Sequence, residues 1–153
     1  STNCEAIAAQ YYWKELFGKD FVRNQNLEGI NTILNYGYSI MRAMIARSII
    51  AAGLHPTLGI FHKNQYNDMC LADDLMEPFR PWVDAIVYEL YNKNKNIKIN
   101  KEIKKPLLEL IGCEVLFNNK KMPLMVANHY LMAELKRNYI KNTTKFIYPT
   151  KKK

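Results

Sequence analysis

Five side chains in this sequence have the types that metal or proton chemistry uses: Glu5, His62, Asp73, Asp74 and Glu77. On a helix, Asp74 and Glu77 stand three apart and Asp73 and Glu77 four apart, so two carboxylates share one face and repel unless something positive lies between them. A hard divalent ion such as Mg²⁺ or Mn²⁺ suits carboxylate oxygens with at most one imidazole. It leaves positions for water and a substrate phosphate, which is the setting of phosphodiester chemistry. The same acids also fit the start of a helix, where the dipole favours negative charge, and spacing alone favours that plainer reading. His62, where LGIF runs out into a polar loop, reads by itself as a plain polar residue.

The other two histidines add no metal signature. His55 precedes Pro56 just beyond a helix end and reads as structural, and His129 lies inside the last helix as a packing or surface residue. No two histidines stand four apart, and neither GxxxxGK[ST] nor GxSxG occurs, which removes zinc proteases, P-loop nucleotide hydrolysis and the hydrolase elbow. Cys4, Cys70 and Cys113 are odd in number and far apart, with no zinc-clip spacing, as expected of a reducing cytosol. No uninterrupted apolar run is long enough to span a bilayer, and no signal peptide is visible; the chain begins at Ser1 and reads as part of a longer protein.

Charge is divided along the chain. Residues 1–90 carry seven Lys or Arg against ten Asp or Glu, a balance of −3, while residues 91–153 carry fifteen against four, a balance of +11. Basic surface beside an acidic cluster is what a metal-dependent enzyme acting on nucleic acid needs. Solubility alone accounts for the lysines equally well.

These residues must be positioned by helices, because helical periodicity dominates the 153 residues. Ser1, Thr2 and Asn3 are good N-cap types for a helix over 5–17 that stops at Gly18. A second helix over 28–52, about 37 Å long at 1.5 Å per residue, ends at Gly53. Helical pattern resumes over 68–91, but Pro78 and Pro81 require a bend right after Glu77. NKNKNIKINK, residues 92–101, reads as an exposed connector, followed by a short helix over 101–110. EVLFNNKKMPL suggests a small hairpin turning at Asn118 and Asn119. The last helix, over 123–141, should bury Leu124, Val126, Tyr130, Leu131 and Leu135, and the closing KKK should form a loose tail. The tyrosines and the Met41–Met44 stripe have core spacing. Arg42 and Arg47, on an otherwise apolar helix, must reach solvent, an acidic partner or phosphate. The fold class is therefore all-α and compact, with one hairpin near residues 114–123.

The stretch LNYGYSIMRAMIARSIIAAGLHPTLGIFHKNQYNDMCLADDLMEPFRPWVD, residues 34–84, closely resembles the CRISPR-associated spacer-acquisition endonuclease and integrase, the universal first Cas protein, in its type II form. TNCEAIAAQYYWKELFG, residues 2–18, resembles the start of that family's catalytic domain, and PLMVA, residues 123–127, the start of its last long helix. The resemblance implies that Glu5, His62 and Glu77 together hold Mg²⁺ or Mn²⁺, with Asp74 matching a second acid seen in parts of the family. It also implies a reaction in which 3′-hydroxyl ends of short foreign DNA are joined to a CRISPR repeat by transesterification, with no covalent protein intermediate. His62 would then be a ligand or a proton-transfer group. Lys63 and Arg80 flank the expected site and are the candidates for DNA contact.

The implied partners are double-stranded DNA, as prespacer and repeat, a second copy of the full-length protein, and a second small acquisition protein. The implied location is the prokaryotic cytoplasm. The family's N-terminal β-rich domain, which supplies its dimer contacts, is not in residues 1–153, which read as one C-terminal catalytic domain. Two rival readings keep the same helices without the chemistry: a nucleic-acid-binding scaffold whose acids are structural, and a helical protein-interaction module.

Overall fold

Helix α2, Ile30–Ala51, is the axis on which the other elements pack, and its sequence explains why. Leu34, Tyr38, Met41, Ile45 and Ile49 recur at three- and four-residue steps and are buried with Ile33 beside them, a stripe wide enough to receive helices from several sides. The computed structural model describes residues 4–62, 64–143 and 146–151, with Glu5 placed as backbone only. The N-cap expectation for Ser1, Thr2 and Asn3 lies outside the described residues.

In order, the elements are α1 (Cys4–Phe17), α2, α3 (Cys70–Met76), a 3-10 turn (Glu77–Phe79), α4 (Arg80–Lys93), α5 (Lys101–Glu109) and a second 3-10 turn (Leu110–Gly112). They are followed by strands β1 (Glu114–Phe117) and β2 (Lys120–Pro123), α6 (Leu124–Lys141) and β3 (Thr150–Lys151). α2 packs against α3, α4, α5 and α6. It begins at Ile30 and not at 28 because Gly29 holds φ +73°, a left-handed conformation that helix backbone does not adopt. At Gly37 the helices meet backbone to side chain: an added Cβ would lie 2.4 Å from Val83 Cγ1 and 3.2 Å from Leu107 Cδ2.

The bend after Glu77 is present. α3 ends at Met76, Pro78 sits in the 3-10 turn, and Pro81 opens α4 in the first turn, where its missing N–H leaves no helix hydrogen bond unmade. The hairpin turns at Asn118 and Asn119 with φ of 49° and 62°, as two-residue hairpins require. Its β1 strand also pairs antiparallel with β3, giving sheet order β2-β1-β3. This third strand was not expected; it takes up Lys151 from the basic tail, whose last two residues lie outside the described residues.

Three packing expectations need correction. On α6, Val126 and Tyr130 are exposed. The buried face runs through Leu124, Ala127, Asn128, Leu131, Met132 and Leu135, a regular three- and four-residue series from which 126 and 130 are rotated away. Met41, Met44 and Tyr38 are core, but Tyr11, Tyr130 and Tyr139 point to solvent, because helical spacing does not say which face is covered, and Tyr66 is exposed in the loop between α2 and α3. In the segment after α4, Ile97 is buried among otherwise exposed neighbours. α1 is mostly exposed. It is held near its C-terminal end by Phe17, whose ring meets Tyr91 edge-on at 5.7 Å, and by the Tyr12 hydroxyl.

Candidate active site

The loop between α2 and α3 carries His62, and two neighbouring carboxylates at the start of α3 hold it in different ways. Asp74 is buried and faces the loop. Its Oδ2 accepts the backbone N–H groups of Ile60 at 2.6 Å and Phe61 at 2.8 Å, the His62 amide is shared between both oxygens at 3.3 and 3.4 Å, and Oδ1 meets His62 Nδ1. Three successive amides turned inward onto one carboxylate need a close approach of loop and helix. Gly59 makes room for it, since a Cβ there would lie 2.2 Å from the His62 carbonyl oxygen and 3.0 Å from Asp74 Oδ2.

Asp73, one residue earlier, faces α2. Arg42 binds it through two hydrogen bonds, Nε to Oδ1 at 2.7 Å and Nη2 to Oδ2 at 2.9 Å. Arg42 also donates to Asn67 Oδ1 at 3.0 Å, and Asn67 returns a bond from Nδ2 to Asp73 Oδ2 at 2.8 Å. Arg42 thus reaches an acidic partner, whereas Arg47 reaches solvent. The far limb of the loop is fixed by this cluster and the near limb by Asp74.

The electrostatics follow from these contacts. For Asp74, burial opposes ionisation, but the amides of Phe61, His62 and Ile60 together with the imidazole outweigh it and hold the carboxyl below its usual range. An ionised Asp74 offers only lone pairs, so His62 Nδ1 must be the donor. The hydrogen bond that His62 donates to Asp74 raises the His62 pKa, and the charges of Asp74, Glu77 and Asp73 add to the effect. Nε2 of His62 has no partner among the described residues, and the side chain is 63% exposed.

Glu77 stands at the break between α3 and α4. Its Oε1 accepts Arg80 Nε at 2.9 Å, its side chain is half exposed, and Oε2 is uncommitted among the described residues. The two cations on the acidic face are therefore Arg42 and Arg80. Behind them is a carboxylate that the motif reading missed. Asp84, buried on α4, accepts the hydroxyl of Tyr12 from α1 at 2.8 Å and that of Tyr38 from α2. Burial raises the Asp84 pKa against the pull of the two phenols and the charges of Arg80 and Arg23. Spacing from Glu77 could not find it, because the break at 77–79 interrupts the helical register between the two acids.

The structure thus brings His62, Asp74, Glu77 and Arg80 to one region. Glu5 lies in α1, and its side chain is outside the described residues, as is Lys63. Among the described residues no group of three His, Cys, Asp or Glu side chains closes to metal-binding distance. The donor chemistry present still fits a hard divalent ion. One free imidazole nitrogen and one free carboxylate oxygen lie in mutual electrostatic reach, with the imidazole's other nitrogen held by a carboxylate, as metal-ligating histidines are. Asp74, the additional ligand that the resemblance implied, has both oxygens engaged by the loop and the ring. His55 accepts from the Thr57 hydroxyl and amide, the contacts of a turn residue.

The chain is thus a mostly helical domain in which a histidine and carboxylates meet between two helices and a loop. The sequence profile described as CRISPR associated protein Cas1 matches residues 2–106, and the chain belongs to that family. It is 39% identical over 114 residues to the CRISPR-associated endonuclease Cas1 of Neisseria meningitidis serogroup C (strain 8013), covering 74% of this chain and 37% of that protein. It is 34% identical over 134 residues to CRISPR-associated endonuclease Cas1 1 of Francisella tularensis subsp. novicida (strain U112), covering 78% of this chain and 42% of that one. The chain therefore spans less than half the length of these relatives.

Among solved structures, a casposase bound to integration product superposes with a TM-score of 0.76 at 26% identity, over 93% of this chain and 48% of that one. A CAS1 protein from Thermotoga maritima shares the fold, with a TM-score of 0.73 at 18% identity, over 89% of this chain and 50% of that one. Among the described residues no helix is long and apolar enough to cross a membrane.

Proposed function

We propose that residues 1–153 are the catalytic part of a prokaryotic, cytoplasmic DNA integrase and endonuclease that inserts short foreign DNA into a CRISPR array. The observation that carries this is His62, fastened at Nδ1 by Asp74 with Nε2 free, beside the free oxygen of Glu77. Family membership supports it, as does the fold shared with a casposase bound to integration product. Glu5, His62 and Glu77 would hold Mg²⁺ or Mn²⁺, which when bound supplies charge stabilisation at a phosphate.

The chain's own residues do the rest. Asp74 fixes the imidazole so that Nε2 presents a lone pair, and acts as its orienting group, not as a ligand. Gly59 and the Arg42–Asp73–Asn67 cluster keep the loop from swinging. Arg80 restrains Glu77 through one oxygen and leaves the other available. The reaction conserves phosphodiester bonds: the incoming 3′-hydroxyl oxygen bonds to a repeat-strand phosphorus, that phosphorus loses its own 3′-oxygen, and the proton ends on the departing hydroxyl. Its partners are double-stranded prespacer and repeat DNA, a second copy of the full-length protein and a second small acquisition protein.

The test is Glu77→Ala in the full-length protein, assayed with labelled duplex and repeat DNA in Mg²⁺. Joining should be abolished with DNA affinity largely kept. Retained joining removes Glu77 from the mechanism.

A further inference from the structure

Between α2, the 18–29 link and the α3–α4 junction lies an open polar cleft of about 520 Å³, lined by three arginines, Arg23, Arg42 and Arg80, against a single acid, Asp73. The three cations are not equally satisfied. Arg42 is neutralised by its two hydrogen bonds to Asp73, and Arg80 shares its charge with Glu77. Arg23, half-buried, is held by neutral oxygens only: Nη1 donates to Asn31 Oδ1 at 2.9 Å and Nη2 to Asn35 Oδ1 at 2.7 Å. Amide oxygens fix the direction of a guanidinium without cancelling its charge.

The nearby Asp84 attracts Arg23 through its charge but makes no hydrogen bond to it, because its oxygens accept the phenols of Tyr12 and Tyr38. Arg23 and Arg80 both lie against the Tyr38 ring, at 5.6 and 4.9 Å from its centroid. Burial, with the like charge of Arg80, lowers the Arg23 pKa against the opposing pull of Tyr38 and Asp84, a net cost that a bound anion would relieve. An oriented, under-neutralised guanidinium at an open cleft is a phosphate site in its geometry and its charge.

We propose that this cleft binds a backbone phosphate of the DNA strand that passes the candidate active site, with Arg23 as its principal contact and Arg80 shared between phosphate and Glu77. This rests on the reading of the protein as a DNA-joining enzyme and adds where the strand is held. Asp73 does not repel the phosphate because Arg42 already cancels its charge.

The experiment measures duplex DNA affinity of the full-length protein in EDTA, across a salt series, together with joining in Mg²⁺. Arg23→Gln removes the contact. Ser39→Glu places a negative charge at the same cleft from an exposed position whose hydroxyl contacts only the Tyr36 carbonyl, so it tests the cleft even where Arg23→Gln fails to fold. Asn94→Glu, at the end of α4, controls for added charge. Ser39→Glu should weaken binding about tenfold and make the log-affinity against log-salt slope shallower by about one, while Asn94→Glu leaves both as in the wild type. Wild-type affinity and slope in Ser39→Glu overturn the cleft, as does equal weakening by Asn94→Glu. A wild-type protein that binds DNA through the cleft without joining it would instead overturn the proposed function alone.

Discussion

Asp74 holds His62 twice, once through the imidazole Nδ1 and once through the backbone amide of the same residue. The carboxylate that orients the ring therefore also sets the loop that carries it, so ring and loop move as one unit. Asn67, drawn to Asp73 and Arg42, closes the other side of that loop. In full-length protein, Asp74→Asn should reduce DNA joining about 10- to 100-fold with little change in DNA affinity, because an amide cannot accept from Nδ1–H and still serve three backbone donors. Joining at the wild-type rate would show that His62 needs no orienting partner.

The same pair sets a pH dependence. The folded pKa of His62 is raised above about 6.5, so its contribution to stability is complete below that value and is lost as pH rises through the folded pKa. The folded pKa of Asp74 is lowered, so its contribution is present above about 3.9 and is lost as pH falls through the folded value. The pair stabilises most between those limits. NMR titration of the His62 ring should give a midpoint above 6.5 that falls in Asp74→Asn.

Two glycines separate loop from core. Gly59→Ala puts a Cβ 2.2 Å from the His62 carbonyl and should lower joining more than stability, because the loop can yield. Gly37→Ala meets Val83 in the packed centre and should cost about 1–3 kcal/mol in urea denaturation while leaving the His62 titration unchanged.

Asp84 ties α1 and α2 to α4 through two phenols. Asp84→Ala leaves both hydroxyls without their acceptor and should lower stability by about 3 kcal/mol. A loss under 1 kcal/mol would mean that water replaces the carboxylate at no cost.

Burial, then the nearby Asp84, raises the pKa of both Tyr12 and Tyr38, and burial, then the charge of Asp74, pushes Tyr148 up to about 12. Phenols raised in the fold contribute stability that is whole below about 10 and is lost as pH climbs toward their folded values. Spectrophotometric titration near 295 nm should show phenol signal that is still un-ionised well above pH 10 and is lost from the titration when Tyr12 and Tyr38 are replaced. The double variant Tyr12→Phe, Tyr38→Phe should flatten the loss of stability above pH 10.

The helices were legible because α2 and α6 repeat their apolar residues at helical spacing, and the break after Glu77 because proline forces it. Which face of α6 is covered was not legible, since Val126 and Tyr130 are apolar whichever way they point. At the site, spacing found that Asp73, Asp74 and Glu77 need positive partners, but not that each takes a different one: Arg42, the His62 loop and Arg80. Arg80 lies three residues from Glu77, but Arg42 and the His62 loop come from other stretches of chain, and only packing joins them to Asp73 and Asp74. The under-neutralised state of Arg23 was illegible for the same reason, because Asn31 and Asn35 carry no charge to mark them.

The most direct measurement is a crystal structure of the full-length protein soaked in Mn²⁺, with anomalous difference density calculated at the manganese edge. The account predicts one peak in coordination contact with His62 Nε2, Glu77 and the Glu5 carboxylate, with Asp74 still bonded to Nδ1. A peak ligated by Asp74 in place of His62, or no peak between those side chains at saturating Mn²⁺, would contradict it.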